Sequence, residues 1–366
     1  MTAVDLPRRF AGGVRLLAAI ALTTLVASAC SSSPADDSIR RARGSIFGTS
    51  WSVVVLGKID DARFELIVDG IQKRLEYIDR EMSTYKPDSA ISRFNKASAN
   101  EWFEVAPETA RVVTGALEIT DLTGGAFDVT VGPLVDLWGF GPGGDGGRVP
   151  ADAELADVRA RCGSEHLEVS LRPSEIRKSV EGLQVDLSAI AKGFAVDEVA
   201  EYLETHDVAG YMVEIGGEVR TRGRKPDDSP WWIGVEAPVE GRREMHRRLP
   251  VVDASLATSG DYRNYFEHEG QRYSHMIDPR TGRPVLSGLA SVSVFASTCM
   301  HADALATGLM VLGAEAGYDK AIAENLEALF LIRKEDGGFE EKMTPPFAAR
   351  LEGAGSPAAS GRSSGS

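Results

Sequence analysis

The order in which helical and strand periodicities follow one another restricts this chain more than any other feature of its sequence. Phe64, Ile67, Val68, Ile71, Leu75 and Ile78 recur at the three- and four-residue spacing of one helix face, with Asp60 or Asp61 placed to cap it. A second helix is expected over 107–122, opened by a proline in its first turn and followed by Gly124-Gly125. Further helices are expected over 189–204, 301–312 and 315–325, and strands over 51–56, 182–187, 211–215, 231–236, 289–296 and 328–332. Strand and helix do not alternate regularly along the chain, as a doubly wound parallel sheet requires. The reading is therefore α+β: a single bilobal domain with mostly antiparallel sheets and flanking helices. The glycine-rich stretch 141–147 is expected to be an exposed loop between the lobes.

The 366 residues are 43% apolar and 26% charged, ordinary values for a globular chain with a core. Against 40 Lys and Arg stand 54 Asp and Glu, a formal net charge of −14, which speaks against nonspecific binding to nucleic acid. A polyanionic ligand must here be met locally, by backbone amides, a metal ion or a few basic side chains.

Arg8, Arg9 and Arg15 precede an apolar run that ends at Ala29. At roughly 15 residues it is shorter than the roughly 20 of a comfortable spanning helix. With small residues at its exit it reads as a secretory signal over 1–29. Ala27-Ser28-Ala29-Cys30 resembles a bacterial lipobox, in which Cys30 is lipidated and anchors the mature protein to the extracytoplasmic face of the cell membrane. Arg8-Arg9-Phe10 leaves the export route open between the general and twin-arginine pathways. Residues 30–43 then form a polar tether, 44–350 the folded domain, and the Gly-, Ser- and Ala-rich 351–366 a disordered tail. Cys162 and Cys299 either pair or remain buried thiols, and no C-x-x-C occurs.

Gly141-x-Gly143-x-x-Gly146 matches a dinucleotide fingerprint in spacing alone. No strand leads into it, and Arg148-Val149-Pro150 follows where a helix must open. A P-loop, an H-E-x-x-H helix and a G-x-S-x-G elbow are all absent from the sequence, which removes the commonest hydrolase classes.

Asp303 and Thr307 lie four residues apart in an expected helix and so share a face. A carboxylate and a hydroxyl are hard oxygen ligands that leave positions for water and substrate phosphate, the manner in which Mg²⁺ is usually held. His275, two residues after Tyr273 in an expected strand, carries an imidazole suited to taking a proton from a hydroxyl or to binding phosphate.

Five segments carry a further signal in order: 82–89 (MSTYKPDS) with 92–95 (SRFN); 125–134 (GAFDVTVGPL) with 138–141 (WGFG); 186–193 (DLSAIAKG); 258–263 (TSGDYR) with 273–282 (YSHMIDPRTG); and 302–308 (ADALATG). Together they resemble the ApbE family of flavin transferases over roughly residues 44–335. The resemblance implies Mg²⁺-dependent transfer of FMN from FAD to a Thr or Ser hydroxyl of an acceptor flavoprotein, with release of AMP. It makes the backbone carbonyl of Ala189 the third protein ligand of the metal and places His275 at the flavin pyrophosphate. It also implies FAD contacts at Phe47, Ser83, Thr84, Tyr85, Asp128, Asp186, Lys192, Gly216 and Gly217, with Tyr85 stacking on a ring and Lys192 near the pyrophosphate. The chain departs from the family at Phe47, where Met is usual, at Lys192, which is Glu in some members, and at Glu214, where Asn is frequent. An FAD pyrophosphatase yielding FMN and AMP, and a non-catalytic FAD-binding lipoprotein, are the alternatives on the same scaffold.

Overall fold

Phe47 and Gly48, with φ of 52° and 70°, form the two-residue turn that joins β1 (Ile39–Ile46) to β2 (Thr49–Leu56). Positive φ at both central positions matches the twist of the paired strands. The computed structural model describes residues 39–142, 144, 147–239, 244–261, 264–286 and 288–355. The export segment, Cys30, Gly143, Gly146, Tyr262, Arg263 and the tail from 356 lie outside the described residues.

After β2 come α1 (Asp61–Met82), α2 (Ala90–Lys96), β3 (Phe103–Glu104), α3 (Pro107–Thr123), α4 (Gly132–Leu137) and α5 (Asp152–Arg159). Asp60 caps α1 by accepting from the backbone N–H of Arg63 at 2.8 Å. The hairpin β4 (Leu167–Leu171) and β5 (Ser174–Lys178) leads to α6 (Ala191–Thr205), β6 (Gly210–Ile215), β7 (Glu218–Arg222), β8 (Trp231–Glu236), β9 (Met245–Val251) and β10 (Ser255–Gly260). Two short pairs follow, β11 (Tyr265–His268) with β12 (Gln271–Ser274) and β13 (Ile277–Asp278) with β14 (Arg283–Pro284). The chain closes with β15 (Leu289–Ala296), α7 (Cys299–Leu312), α8 (Ala314–Ala323), β16 (Glu327–Arg333), β17 (Phe339–Met343) and α9 (Pro345–Gly355).

One sheet organises these elements, in the order β1-β2-β6-β7-β10-β15-β16-β17 with every neighbouring pair antiparallel. The α+β reading holds. Alternating residues of the strands feed two different cores, as the two-residue period of a strand dictates. Val53, Val55, Val292, Val294 and Phe330 join the main cluster with α1, α3, α6 and α7, whereas Leu256, Phe295, Leu329 and Leu331 pack against Leu249 and Val251 of β9 and Phe347 of α9. A third cluster surrounds the buried Trp138, whose ring stacks on Tyr273 at 5.5 Å and whose indole N–H donates to Gly282 O at 2.8 Å.

Three local expectations are corrected. Residues 182–187 form no named strand; they contribute an isolated bridge between Gln184 and Val131. A side chain replaces the missing strand neighbour: Asn95 accepts from Val185 N–H at 2.8 Å and donates to Val185 O at 2.9 Å. β1 reaches back to Ile39, so 39–43 belong to the sheet, with Arg40 donating to Asp61 at 2.6 Å. At the other end α9 continues to Gly355, into the stretch expected to be tail. Cys162 and Cys299 are both free and buried.

Candidate active site

Helices α6 and α7 approach each other closely because position 193 is glycine. A Cβ there would lie 2.3 Å from the carbonyl oxygen of Cys299. Asp197, one turn along α6, fastens the same contact by accepting from Cys299 N–H at 2.9 Å and Met300 N–H at 2.8 Å, a carboxylate at the N-terminus of α7. The approach lets Gly193 N–H donate to Asp303 Oδ2 at 3.0 Å. Gly193 lies in the first turn of α6, where a backbone N–H has no partner within the helix, and Asp303 supplies one. Ala189 precedes the cap residue Ile190, so its carbonyl lies outside the helical ladder.

Asp303, Thr307 and Ala189 line one cavity of about 500 Å³, a size suited to a small-molecule ligand. Lys192 joins them there, with its ammonium 2.7 Å from Glu218 Oε1 and 3.7 Å from Asp303 Oδ1. Both carboxylates are 3% exposed, and Glu218 Oε2 has no hydrogen-bond partner among the described residues. Burial disfavours the charge on Lys192, yet Asp303 and Glu218 outweigh it and hold its pKa above the ordinary lysine value. Burial pushes the Glu218 carboxyl up, Lys192 opposes that, and Asp303 adds to it. Thr307 Oγ1 lies 2.9 Å from Ser259 Oγ.

His275 lies just beyond β12 and lines the same cavity. Its Nδ1 faces Asn264 O at 3.0 Å, which assigns the proton of the neutral ring to Nδ1 and leaves Nε2 as a bare acceptor. Burial lowers the imidazole pKa; the hydrogen bond to Asn264 and the charge of Asp261 oppose this, and Lys192 adds to it.

The rest of the expected site divides. Thr84, Tyr85, Asp128, Asp186, Gly216 and Gly217 all line the cavity, whereas Phe47 and Ser83 do not. Phe47 occupies the β1–β2 turn and packs on the main core, and Ser83 caps the end of α1 with its backbone N–H on Asp79 O. Tyr85 is 67% exposed and presents an open ring face for stacking. Asp128 is heavily engaged, accepting from Thr130 N–H and Oγ1 at 2.8 and 2.7 Å and from Ser164 N–H at 2.9 Å. Gly216 and Gly217 form the β6–β7 turn with φ of 63° and 111°, conformations that favour glycine. Glu214 holds this turn by accepting from Gly217 N–H at 2.9 Å, which gives its departure from the family residue a structural use. Sequence reasoning missed Glu218, Ser259, Asn264 and Phe140, which lines the cavity with its ring edge-on to His275 at 6.4 Å. The one signal for Glu218 was its place directly after the glycine pair.

The ApbE family model matches residues 47–330. A relative called FAD:protein FMN transferase from Vibrio cholerae serotype O1 is 43% identical over 328 residues, covering 90% of this chain and 97% of its own. One of the same name from Salmonella typhimurium is 40% identical, covering 83% of this chain and 87% of its own. Among solved structures, a flavin transferase ApbE from Vibrio cholerae aligns with a TM-score of 0.77 at 41% identity over 85% of this chain and 99% of that one. An apo flavinyl transferase ApbE from Pseudomonas stutzeri aligns with a TM-score of 0.79 at 37% identity, over 86% and 96% of the two chains. With a family model spanning most of its length and relatives matched nearly end to end, the chain belongs to the ApbE family.

Proposed function

We propose that this enzyme, a flavin transferase by its kinship, moves FMN from FAD onto a Thr or Ser hydroxyl of an acceptor flavoprotein and releases AMP. The observation that carries the reading is the wall on which Asp303, Thr307, Ala189 and Lys192 line one cavity. These hard oxygen donors fit Mg²⁺, with positions left for pyrophosphate oxygens. When bound there, the ion supplies Lewis-acid neutralisation of phosphate charge.

Lys192 meets the pyrophosphate with a second positive charge, Tyr85 offers a stacking face, and the Gly216-Gly217 turn admits close backbone approach. The acceptor oxygen attacks the FMN phosphorus, the P–O–P bridge breaks, and AMP leaves with the bridging oxygen. The hydroxyl proton passes to Nε2 of His275, whose Nδ1–H remains on Asn264 O. Alignment of hydroxyl, phosphorus and leaving group, together with fixed positive charge, supplies most of the rate.

We further propose that the chain is exported and lipid-anchored through Cys30, so that its acceptor is an extracytoplasmic or membrane-bound flavoprotein. The test is to incubate the chain with FAD, Mg²⁺ and a candidate acceptor, then weigh the acceptor and quantify AMP. A mass gain of one FMN per AMP released supports transfer. FMN and AMP with no gain in mass on any acceptor indicate the pyrophosphatase, and tight FAD binding without turnover indicates a carrier.

A further inference from the structure

β8 and β9 form a two-stranded sheet, and among the described residues no third strand pairs with either. Opposite Trp232 stands Pro250, which has no N–H to give, and just beyond the strands Ala237 N–H donates to Glu244 O at 2.7 Å. Both observations assign the hydrogen bonds toward β9 to Trp231, Ile233 and Val235. Pairing groups alternate sides along an antiparallel strand, so the backbone N–H and C=O of Trp232 and Gly234 point away from β9. Gly234 also lines the cavity.

The surface around this edge is apolar and open. Trp232 is 42% and Met245 59% exposed, and the Met245 sulfur lies over Gly234, 3.4 Å from where a Cβ would stand. Arg248 stacks on Trp232 at 5.2 Å and has no carboxylate partner among the described residues. An unpaired strand edge is a template for an extended polypeptide, and exposed Trp and Met with an uncompensated guanidinium add apolar and charge complementarity.

We infer that the outer edge of β8 is the docking site of the acceptor protein, which adds an extended segment as a third strand beside Gly234 and sets an acidic side chain against Arg248. The inference rests on the transfer reading above. Main-chain hydrogen bonds supply affinity in this mode of recognition, and side chains at the rim supply selectivity. Pairing at Gly234 brings one residue of the segment to the cavity mouth, where its hydroxyl meets the flavin phosphate.

The test uses the full chain with FAD and Mg²⁺. The probe is a synthetic segment of the acceptor carrying the flavin-accepting Thr or Ser and several residues on either side. Two further segments carry N-methyl groups at alternate backbone nitrogens, one set in each phase. Only the phase that faces β8 removes pairing N–H groups, so that segment alone is expected to raise KM at least about tenfold, from several lost hydrogen bonds. Arg248→Glu is expected to raise KM for the unmodified segment while the FAD dissociation constant, read by flavin fluorescence, stays unchanged. Equal KM values for the two phases overturn edge pairing and leave transfer intact. Sedimentation of the chain as a dimer that hides this edge, with no phase effect, assigns the edge to a second copy and likewise overturns the inference. Cleavage of FAD with no mass gain on the segment or the whole acceptor overturns the transfer reading, and the docking reading with it.

Discussion

Asp303 divides its carboxylate between a backbone donor and a cation: Oδ2 accepts from Gly193 N–H, and Oδ1 faces the Lys192 ammonium. Asp303→Asn keeps the shape and removes the charge. Truncating one member of a buried charged set typically costs about 2–5 kcal/mol, so Mg²⁺ affinity read from AMP release is expected to fall on the order of 30-fold or more. Thr307→Ala is expected to show the same defect more mildly, because a neutral hydroxyl contributes less than a carboxylate. A metal titration that superimposes Asp303→Asn on wild type would remove this helix from the site. His275→Ala is expected to keep FAD binding and lose roughly 10²–10⁴-fold in transfer rate. Since burial depresses the imidazole pKa, the proposed base keeps its unprotonated form to lower pH than an ordinary histidine. The rate is expected to fall on an acid limb below the ordinary histidine value, and this limb should vanish in the Ala variant. The same depression makes the unfolded chain bind more protons than the folded one. It therefore contributes stability above the unfolded pKa that is lost as pH drops.

At the scale of elements, the contact of α6 with α7 is the hinge of the site's construction. Gly193→Ala would gain roughly 1 kcal/mol of helix propensity. It would also drive a methyl group into the Cys299 carbonyl, and overpacking of this kind typically costs about 1–3 kcal/mol. Because the obstacle is backbone rather than a flexible side chain, the second effect is expected to win. A lower urea midpoint together with weakened metal affinity would show this; an unchanged midpoint would mean that the helices separate without cost. The same level shows what a sequence can and cannot announce. α1 and α3 were legible because their apolar residues favour one face and their ends carry a cap or glycines, and α7 and the strand pair β15–β16 because they are nearly continuous apolar runs. Residues 182–187 were misread because Asn95, some ninety residues away, takes the place of a strand neighbour. β1 gave no apolar alternation, since Arg40, Arg41 and Arg43 crowd an edge strand that buries little. Glu218 was invisible as a site residue because what distinguishes it is burial beside Lys192 and Asp303, neither of which is near it in the chain.

Over the whole molecule, the proposed anchor and the catalytic body are separable in experiment. Cys30→Ser is expected to abolish lipid labelling and move the protein from the membrane fraction to the soluble one, with FAD binding retained. Persistence of label in the membrane pellet would refute the lipobox. No helix among the described residues is long and apolar enough to cross a membrane. The sheet itself imposes an order on biogenesis. β2 pairs with β6 across some hundred and fifty residues of intervening chain, so the first hairpin has α1 against it but no further strand beside it until residue 215 has emerged. Cavity-lining residues run from Thr84 to Val311, which spreads the walls across most of the folding unit. A nascent chain stopped short of α7 therefore lacks the helix that carries Asp303 and Thr307. The proposed metal-binding wall is therefore complete only in a finished protein.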